Sequence, residues 1–283
     1  MPNSATLLIH SPDQKGIVAA VSAFLFEHGA NILHADQHQD HELKLFFMRV
    51  EWDLTDFDLD AEQFPDSFAP IVQRFQFDWQ ISYSEHRPIV AILVSQYQHC
   101  LVDLLYRYQI GDLPCRIPLI LSNHHDAEPL ARFYGIPFHY LPVNADKAAM
   151  EKAQLELLQT HHVELIVLAR YMQVLSPEFV ANYPQRIINV HHSFLPAFSG
   201  AKPYHAAHQR GVKLIGATSH YVTEVLDEGP IIEQDVAQVS HRDQIPDLVR
   251  KGRDLECRVL SRAVQWHLDH RILHYSSKTV IFD

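Results

Sequence analysis

Residues 186–196 read Arg186-Ile187-Ile188-Asn189-Val190-His191-His192-Ser193-Phe194-Leu195-Pro196. The stretch opens as a short apolar strand of the fully buried type and ends in a dense polar cluster. Asn189 and His191 are two positions apart, so on an extended chain both side chains point to the same side. Upstream, Ile89 to Val94, Ile117 to Leu121 and Leu165 to Ala169 have the same buried-strand composition, with helical stretches between them. Continuous apolar strands alternating with helices specify a mostly parallel α/β sheet covered on both faces. Ligands of such Rossmann-like sheets bind beyond the carboxyl ends of the strands, where the 189–196 cluster falls.

Downstream of this stretch, Leu214 to Thr223 and Pro230 to Val239 read as a further strand pair. A long helix follows, with Ile245, Leu248, Val249, Leu255, Val259 and Ala263 along one stripe. Upstream, the rhythm changes. Ala5 to His10 is a strand, ended by the turn signal Ser11-Pro12-Asp13. Ile17, Ala20, Val21, Phe24 and Leu25 recur at helical spacing up to Gly29. Asn31 to His38, Leu43 to Trp52 and Phe77 to Tyr83 are three more strands, with a helix over Ala61 to Phe75 before the last. The order βαββαβ predicts a ferredoxin-like four-stranded sheet with two helices on one face. Proline and charge interrupt the pattern at Glu85-His86-Arg87-Pro88, so two domains are expected, at 1–84 and 85–283.

Composition narrows the function. The 283-residue chain has nine glycines, and no two lie closer than the five positions between Gly211 and Gly216. No G-x-G-x-x-G fingerprint can exist, and Ala217 stands where a phosphate-gripping loop would need lysine. The net charge of −11 disfavours nucleic acid and anionic membrane as partners. No apolar run approaches the ~18 residues of a membrane span, and the start lacks a signal-peptide pattern. Cys100, Cys115 and Cys257 are far apart without a C-x-x-C pair, as expected of reduced thiols in a cytoplasmic protein.

A carboxamide and an imidazole on one face can both donate to a developing oxyanion, which makes Asn189 and His191 the candidate centre. Asp227, in Leu226-Asp227-Glu228-Gly229-Pro230, lies in a turn by composition. It gains chemical meaning if that turn folds against His191.

Residues 188–196 resemble the formyltransferase-fold signature, a strand carrying Asn-x-His before a Ser-Leu-Leu-Pro-like turn. The segment from His220 to Ile232 is similar to the part of that family that bears a catalytic aspartate. Leu168-Ala169-Arg170-Tyr171-Met172-Gln173-Val174-Leu175-Ser176-Pro177 is similar to its folate-binding loop. Ser11-Pro12-Asp13-Gln14-Lys15-Gly16-Ile17-Val18, with His28-Gly29-Ala30-Asn31-Ile32, resembles an ACT regulatory domain. The combination resembles the formyltetrahydrofolate deformylase family, with Ser199-Gly200-Ala201-Lys202-Pro203-Tyr204-His205 a further characteristic stretch. The resemblance implies hydrolysis of 10-formyltetrahydrofolate to tetrahydrofolate and formate, linked to purine biosynthesis. It implies Asp227, His191 and Asn189 as catalytic residues and Arg170, Met172, Gln173, Val174, Leu175 and His220 at the substrate. Folate is then the substrate, with no cofactor and no metal required. Asp13, Gly16 and Asn31 are implied to line an amino-acid effector pocket in an ACT domain that pairs edge to edge, giving a homo-oligomer.

Other readings remain open at this stage. A transformylase would pass the formyl group to an amine. The loop after the first strand of the second domain, Val94-Ser95-Gln96-Tyr97-Gln98-His99-Cys100-Leu101, has no glycine to close round a phosphorylated acceptor, and Gln96 replaces an expected lysine. A metal-dependent amidohydrolase would use His191, His192, His205, His208 and His220, although no H-E-x-x-H occurs. Cys100 beside His99 suggests a thiol nucleophile, but neighbours on a helix do not face each other. A non-catalytic carrier or amino-acid sensor is a further class.

Overall fold

In the computed structural model, which describes residues 3–143, 146–197 and 203–282, the chain forms two compact units. One runs up to Arg87 and takes in His270–Tyr275 and the residues from Thr279 onward; the other comprises Pro88–Asp269 and Ser276–Lys278.

The first unit carries β1 (Ser4–Pro12), α1 (Ile17–Glu27), β2 (Asn31–Asp40), β3 (Leu45–Asp53), α2 (Phe64–Phe75) and β4 (Asp78–Tyr83). Its sheet is antiparallel, in the order β2-β3-β1-β4. The two-residue period of β3 decides its faces. Phe46, Met48, Val50 and Trp52 pack with Phe24, Phe64 and Phe68 of the helices, while Phe47 turns to the other face.

The second unit begins with β5 (Ile89–Val94), α3 (His99–Ile110), β6 (Arg116–Ser122), α4 (Glu128–Phe133) and β7 (Phe138–Tyr140). It continues through α5 (Lys147–Thr160), β8 (Leu165–Leu168), α6 (Pro177–Ala181) and β9 (Ile187–His191). It closes with α7 (Pro203–Arg210), β10 (Leu214–Tyr221), β11 (Ile231–Gln238) and α8 (Ile245–Leu268). The seven-stranded sheet has the order β11-β10-β9-β8-β5-β6-β7. Strands β5 to β9 pair in parallel, and β10 and β11 are antiparallel additions. Strand order reverses between β5 and β8, and this switch point is where an open α/β sheet forms its ligand crevice. Both faces are covered, as the unbroken apolar strands require: Ala91, Leu93, Ile166 and Leu168 are buried in one core cluster.

The C-terminus differs from the expected 85–283 domain. A hairpin of β12 (Ile272–Tyr275) and β13 (Lys278–Ile281) follows α8. The segment supplies Leu273 and Phe282 to Leu8 and Phe47, covering the face of the first sheet opposite its helices. The Tyr275 hydroxyl donates to Asp40 at 3.1 Å, and Arg49 Nε donates to the His270 carbonyl at 3.1 Å. The apolar side chains on both faces of β1 and β3 are the reason: one face has helices, and the other needs a cover. Among the described residues, no helix is long and apolar enough to cross a membrane.

Candidate active site

Strand β9 ends at His191, the carboxyl end of the last parallel strand. β10 runs beside it in the opposite direction and sets His220 directly against Asn189. The chain then turns between β10 and β11. At Gly229 a Cβ would lie 1.7 Å from the Tyr221 carbonyl oxygen, so the turn folds onto the end of β10 only because that residue has no side chain. Two residues earlier, Asp227 adopts φ 59°, a left-handed conformation that aspartate tolerates better than most residues. This close return brings Asp227 to the two histidines, which the spacing of 36 residues from His191 could not reveal.

Asp227 Oδ2 lies 3.1 Å from His191 Nδ1, and Oδ1 lies 3.6 Å from His220 Nε2. Burial alone would push the carboxyl up. Hydrogen bonding and charge from His191 and His220 outweigh it and hold Asp227 well below the usual carboxylate range. His220 Nδ1 donates to the Tyr221 carbonyl at 2.9 Å. With the ring neutral, Nε2 accepts from Asn189 Nδ2 at 3.2 Å; with it protonated, Nε2 turns its proton toward Asp227. His191 Nε2 is buried without a hydrogen-bond partner, as is the Ser193 hydroxyl. One ring nitrogen of His191 is thus held by a carboxylate while the other is buried without a partner.

The loop between β8 and α6 holds the other expected substrate residues, and the structure separates them. Met172 and Val174 are about half exposed, with apolar side chains free to meet a ligand. Gln173 is half-buried, and Leu175 packs into the core. The loop is tied to the end of β5: Ser95 N donates to the Arg170 carbonyl at 3.3 Å, and Met172 N donates to Ser95 Oγ at 3.0 Å. Arg170 is buried at φ 61°, with its guanidinium turned inward. Its Nε is 3.2 Å from Glu256 Oε2, a coulombic contact rather than a directed hydrogen bond.

Glu256 was not anticipated. It is 1 % exposed on α8, where His99 Nε2 meets it at 2.7 Å and the Tyr204 hydroxyl donates to it at 2.7 Å. The signal was present: a carboxylate inside the buried stripe Gly252, Leu255, Val259 and Leu260 must find partners. Burial would raise its carboxyl, and bonds from His99 and Tyr204 with the Arg170 charge bring it below its ordinary value. His192 is held down at about 4 by burial first, then by the Arg170 and His191 charges, and is neutral at pH 7.

Among the described residues, the one convergent group of metal-ligating types is His99, Cys100 and Glu256, with ligand atoms within 4.8 Å of one another. It does not include the histidines considered from sequence, and Cys100 is buried, hydrogen-bonded to Cys257 while His99 meets Glu256. Glu256 already holds His99, Tyr204 and Arg170 there. Contact with the Cys257 thiol and burial push the Cys100 thiol well above its ordinary value, which makes it a poor nucleophile. His205 and His208 are exposed on α7. The stretch 199–205 lies outside the described residues up to Lys202.

In the first unit, Asp13 and Gly16 line an open pocket of ≈ 450 Å³ with Gln14, Ile17, Ser22 and Phe46. Gly16 has φ 95°, which a side chain would strain. Asn31 does not join them. It pairs with Asp53 beside Ser4 at the start of β1, whereas Asp13 follows the far end, where Pro12 meets Leu45. The sheet register separates the three within one chain.

Comparison with known proteins matches this architecture. The formyl transferase family model matches residues 89–264 and the ACT domain model residues 5–63. A formyltetrahydrofolate deformylase of Synechocystis sp. is 53 % identical over 280 residues, covering 99 % of this chain and 98 % of that protein. A crystal structure of a formyltetrahydrofolate deformylase from Pseudomonas syringae has a TM-score of 0.98 at 46 % identity, covering 100 % of this chain and 95 % of that one. A glycinamide ribonucleotide transformylase from Symbiobacterium toebii covers 71 % of this chain and 97 % of its own, with a TM-score of 0.67 at 31 % identity. The chain belongs to the formyltetrahydrofolate deformylase family of hydrolases.

Proposed function

We propose that this chain hydrolyses 10-formyltetrahydrofolate to tetrahydrofolate and formate, using Asp227, His191 and Asn189 and no metal. The observation that carries the reading is His191: Nδ1 is pinned by Asp227 while Nε2 is buried and unpartnered. In this reading water adds to the formamide carbon, and the carbonyl oxygen takes the negative charge. The second amide hydrogen of Asn189 and the His191 ring stabilise that oxygen. Asp227, ionised at neutral pH, accepts the water proton, and the network delivers a proton to N10 as the C–N bond breaks. All protons are accounted for by these residues. Met172 and Val174 supply an exposed apolar edge for the folate ring, while Leu175 and Arg170 shape the loop from behind. An amino-acid effector at the Asp13–Gly16 pocket, a cytoplasmic homo-oligomer and supply of formate to purine synthesis complete the proposal.

The test is formate release from 10-formyltetrahydrofolate with no amine added, with and without EDTA. We expect stoichiometric formate and tetrahydrofolate at the same rate in both. Strict dependence on an amine would establish a transformylase instead, and loss with EDTA restored by zinc would overturn the metal-free reading.

A further inference from the structure

In an open α/β sheet the crevice at the switch point, here between β5 and β8, is where ligands ordinarily enter. In this chain side chains that follow both strands converge on one buried carboxylate. His99 follows β5 at the start of α3, Arg170 follows β8, and both converge on Glu256 from α8. Tyr204 completes the group from α7. A Cβ at residue 252 would lie 2.0 Å from the Tyr204 hydroxyl oxygen. A mid-helix glycine, a poorer helix former than alanine, therefore makes room for that ring. Burying a carboxylate and a guanidinium together gains little stability over an apolar filling of equal size. Arg170 additionally holds a left-handed backbone, a conformation tolerated where the surroundings enforce it. The group borders the proposed centre: the His191 and His192 rings are 5.1 Å apart, and the His192 and Tyr204 rings 6.2 Å.

We propose that Glu256, His99, Tyr204 and Arg170 form a plug that determines acceptor specificity, closing the crevice on the His192 side of the centre to any nucleophile larger than water. The inference rests on the hydrolytic reading above. Were the crevice open, an amine nitrogen would bond to the formyl carbon, the C–N10 bond would break, and N10 would take the proton the amine loses. The product would be a formamide instead of formate.

The experiment measures partition between water and semicarbazide, a small amine uncharged at pH 7, by quantifying formate and N-formylsemicarbazide from 10-formyltetrahydrofolate. The native chain is expected to give formate alone. Tyr204→Ala and Glu256→Ala, which empty volume, are expected to raise the formylsemicarbazide-to-formate ratio at least tenfold. Tyr204→Phe keeps the ring and is expected to keep the native ratio. If Glu256→Ala does not fold, as judged by its melting transition, His99→Ala is read in its place. An unchanged ratio in the alanine variants that turn over would overturn the plug, and so would an equal rise in Tyr204→Phe. Absence of formate from the native chain would overturn the hydrolytic reading instead.

Discussion

Two carboxylate–histidine pairs stand within one domain and are used differently. Asp227 meets His191 at 3.1 Å in a turn that returns to the sheet, and it leaves the far nitrogen of that ring unpartnered. Glu256 meets His99 at 2.7 Å between packed helices, and its oxygens are taken up by His99, Tyr204 and Arg170. The chemistry of the two pairs is nearly the same. The difference lies in what is left over: the Asp227 pair leaves an imidazole nitrogen without a partner, whereas the Glu256 carboxylate has both oxygens engaged. Catalytic sites are therefore distinguished less by which residues meet than by which hydrogen-bonding positions are left over.

The strongest way to break this comparison is to remove the open pair's carboxylate. Asp227→Ala should lower formate release by roughly 10³-fold or more, the scale of a lost acid–base group, while fluorescence titration still detects folate binding. A variant that retains a tenth of native turnover would remove Asp227 from the chemistry. Asn189→Ala comes next. The loss of one oxyanion donor should lower kcat by about 10²–10³-fold, with KM little changed. A rise in KM alone would make the amide a ground-state contact.

How far these pairs are legible in the sequence depends on what joins them. Asn189 and His191 share a face by strand periodicity alone, and the sheet end supplies the location. Asp227 reads only as a turn residue, because the bond to His191 depends on a chain reversal packed at Gly229 against the Tyr221 carbonyl at the end of β10. Resemblance supplied that pairing, while periodicity could not. Glu256 and His99, 157 positions apart, were missed because a charged residue in an apolar stripe reports burial without naming its partners. Asn31 fails for a related reason. Its strand is legible, but the register that sends it to the opposite end from Asp13 is a non-local property of three strands. The C-terminal hairpin is short, and its role as a cover follows from Phe47, which the alternation of β3 turns away from the helices.

Gly229→Ala sharpens the same point through geometry. Its Cβ must displace either the Tyr221 carbonyl or the turn, since 1.7 Å is far inside contact distance. We expect about 3 kcal/mol of lost stability, at the upper end for single substitutions, read as a lower melting temperature. The folded fraction should also lose most of its formate release as Asp227 is carried away from His191. Native activity in a destabilised variant would show that the turn tolerates the methyl group without moving the carboxylate.

The smallest effect tests the ring that lies between the two pairs. His192 touches the rings of His191 and Tyr204, and burial with the Arg170 charge holds its pKa near about 4, against roughly 6.5 in an unfolded chain. Between those values the unfolded chain binds a proton that the folded chain refuses. Stability is then whole above about pH 6.5 and falls as the pH drops toward 4. At ~1.4 kcal/mol for each pH unit the ceiling is about 3 kcal/mol, and only the upper part of the window is reached at pH 5. His192→Asn removes the titration while keeping a polar side chain. Melting temperatures at pH 7.5 and pH 5 should therefore differ less for the variant than for the native chain. Equal differences would mean that His192 accepts its proton inside the folded protein.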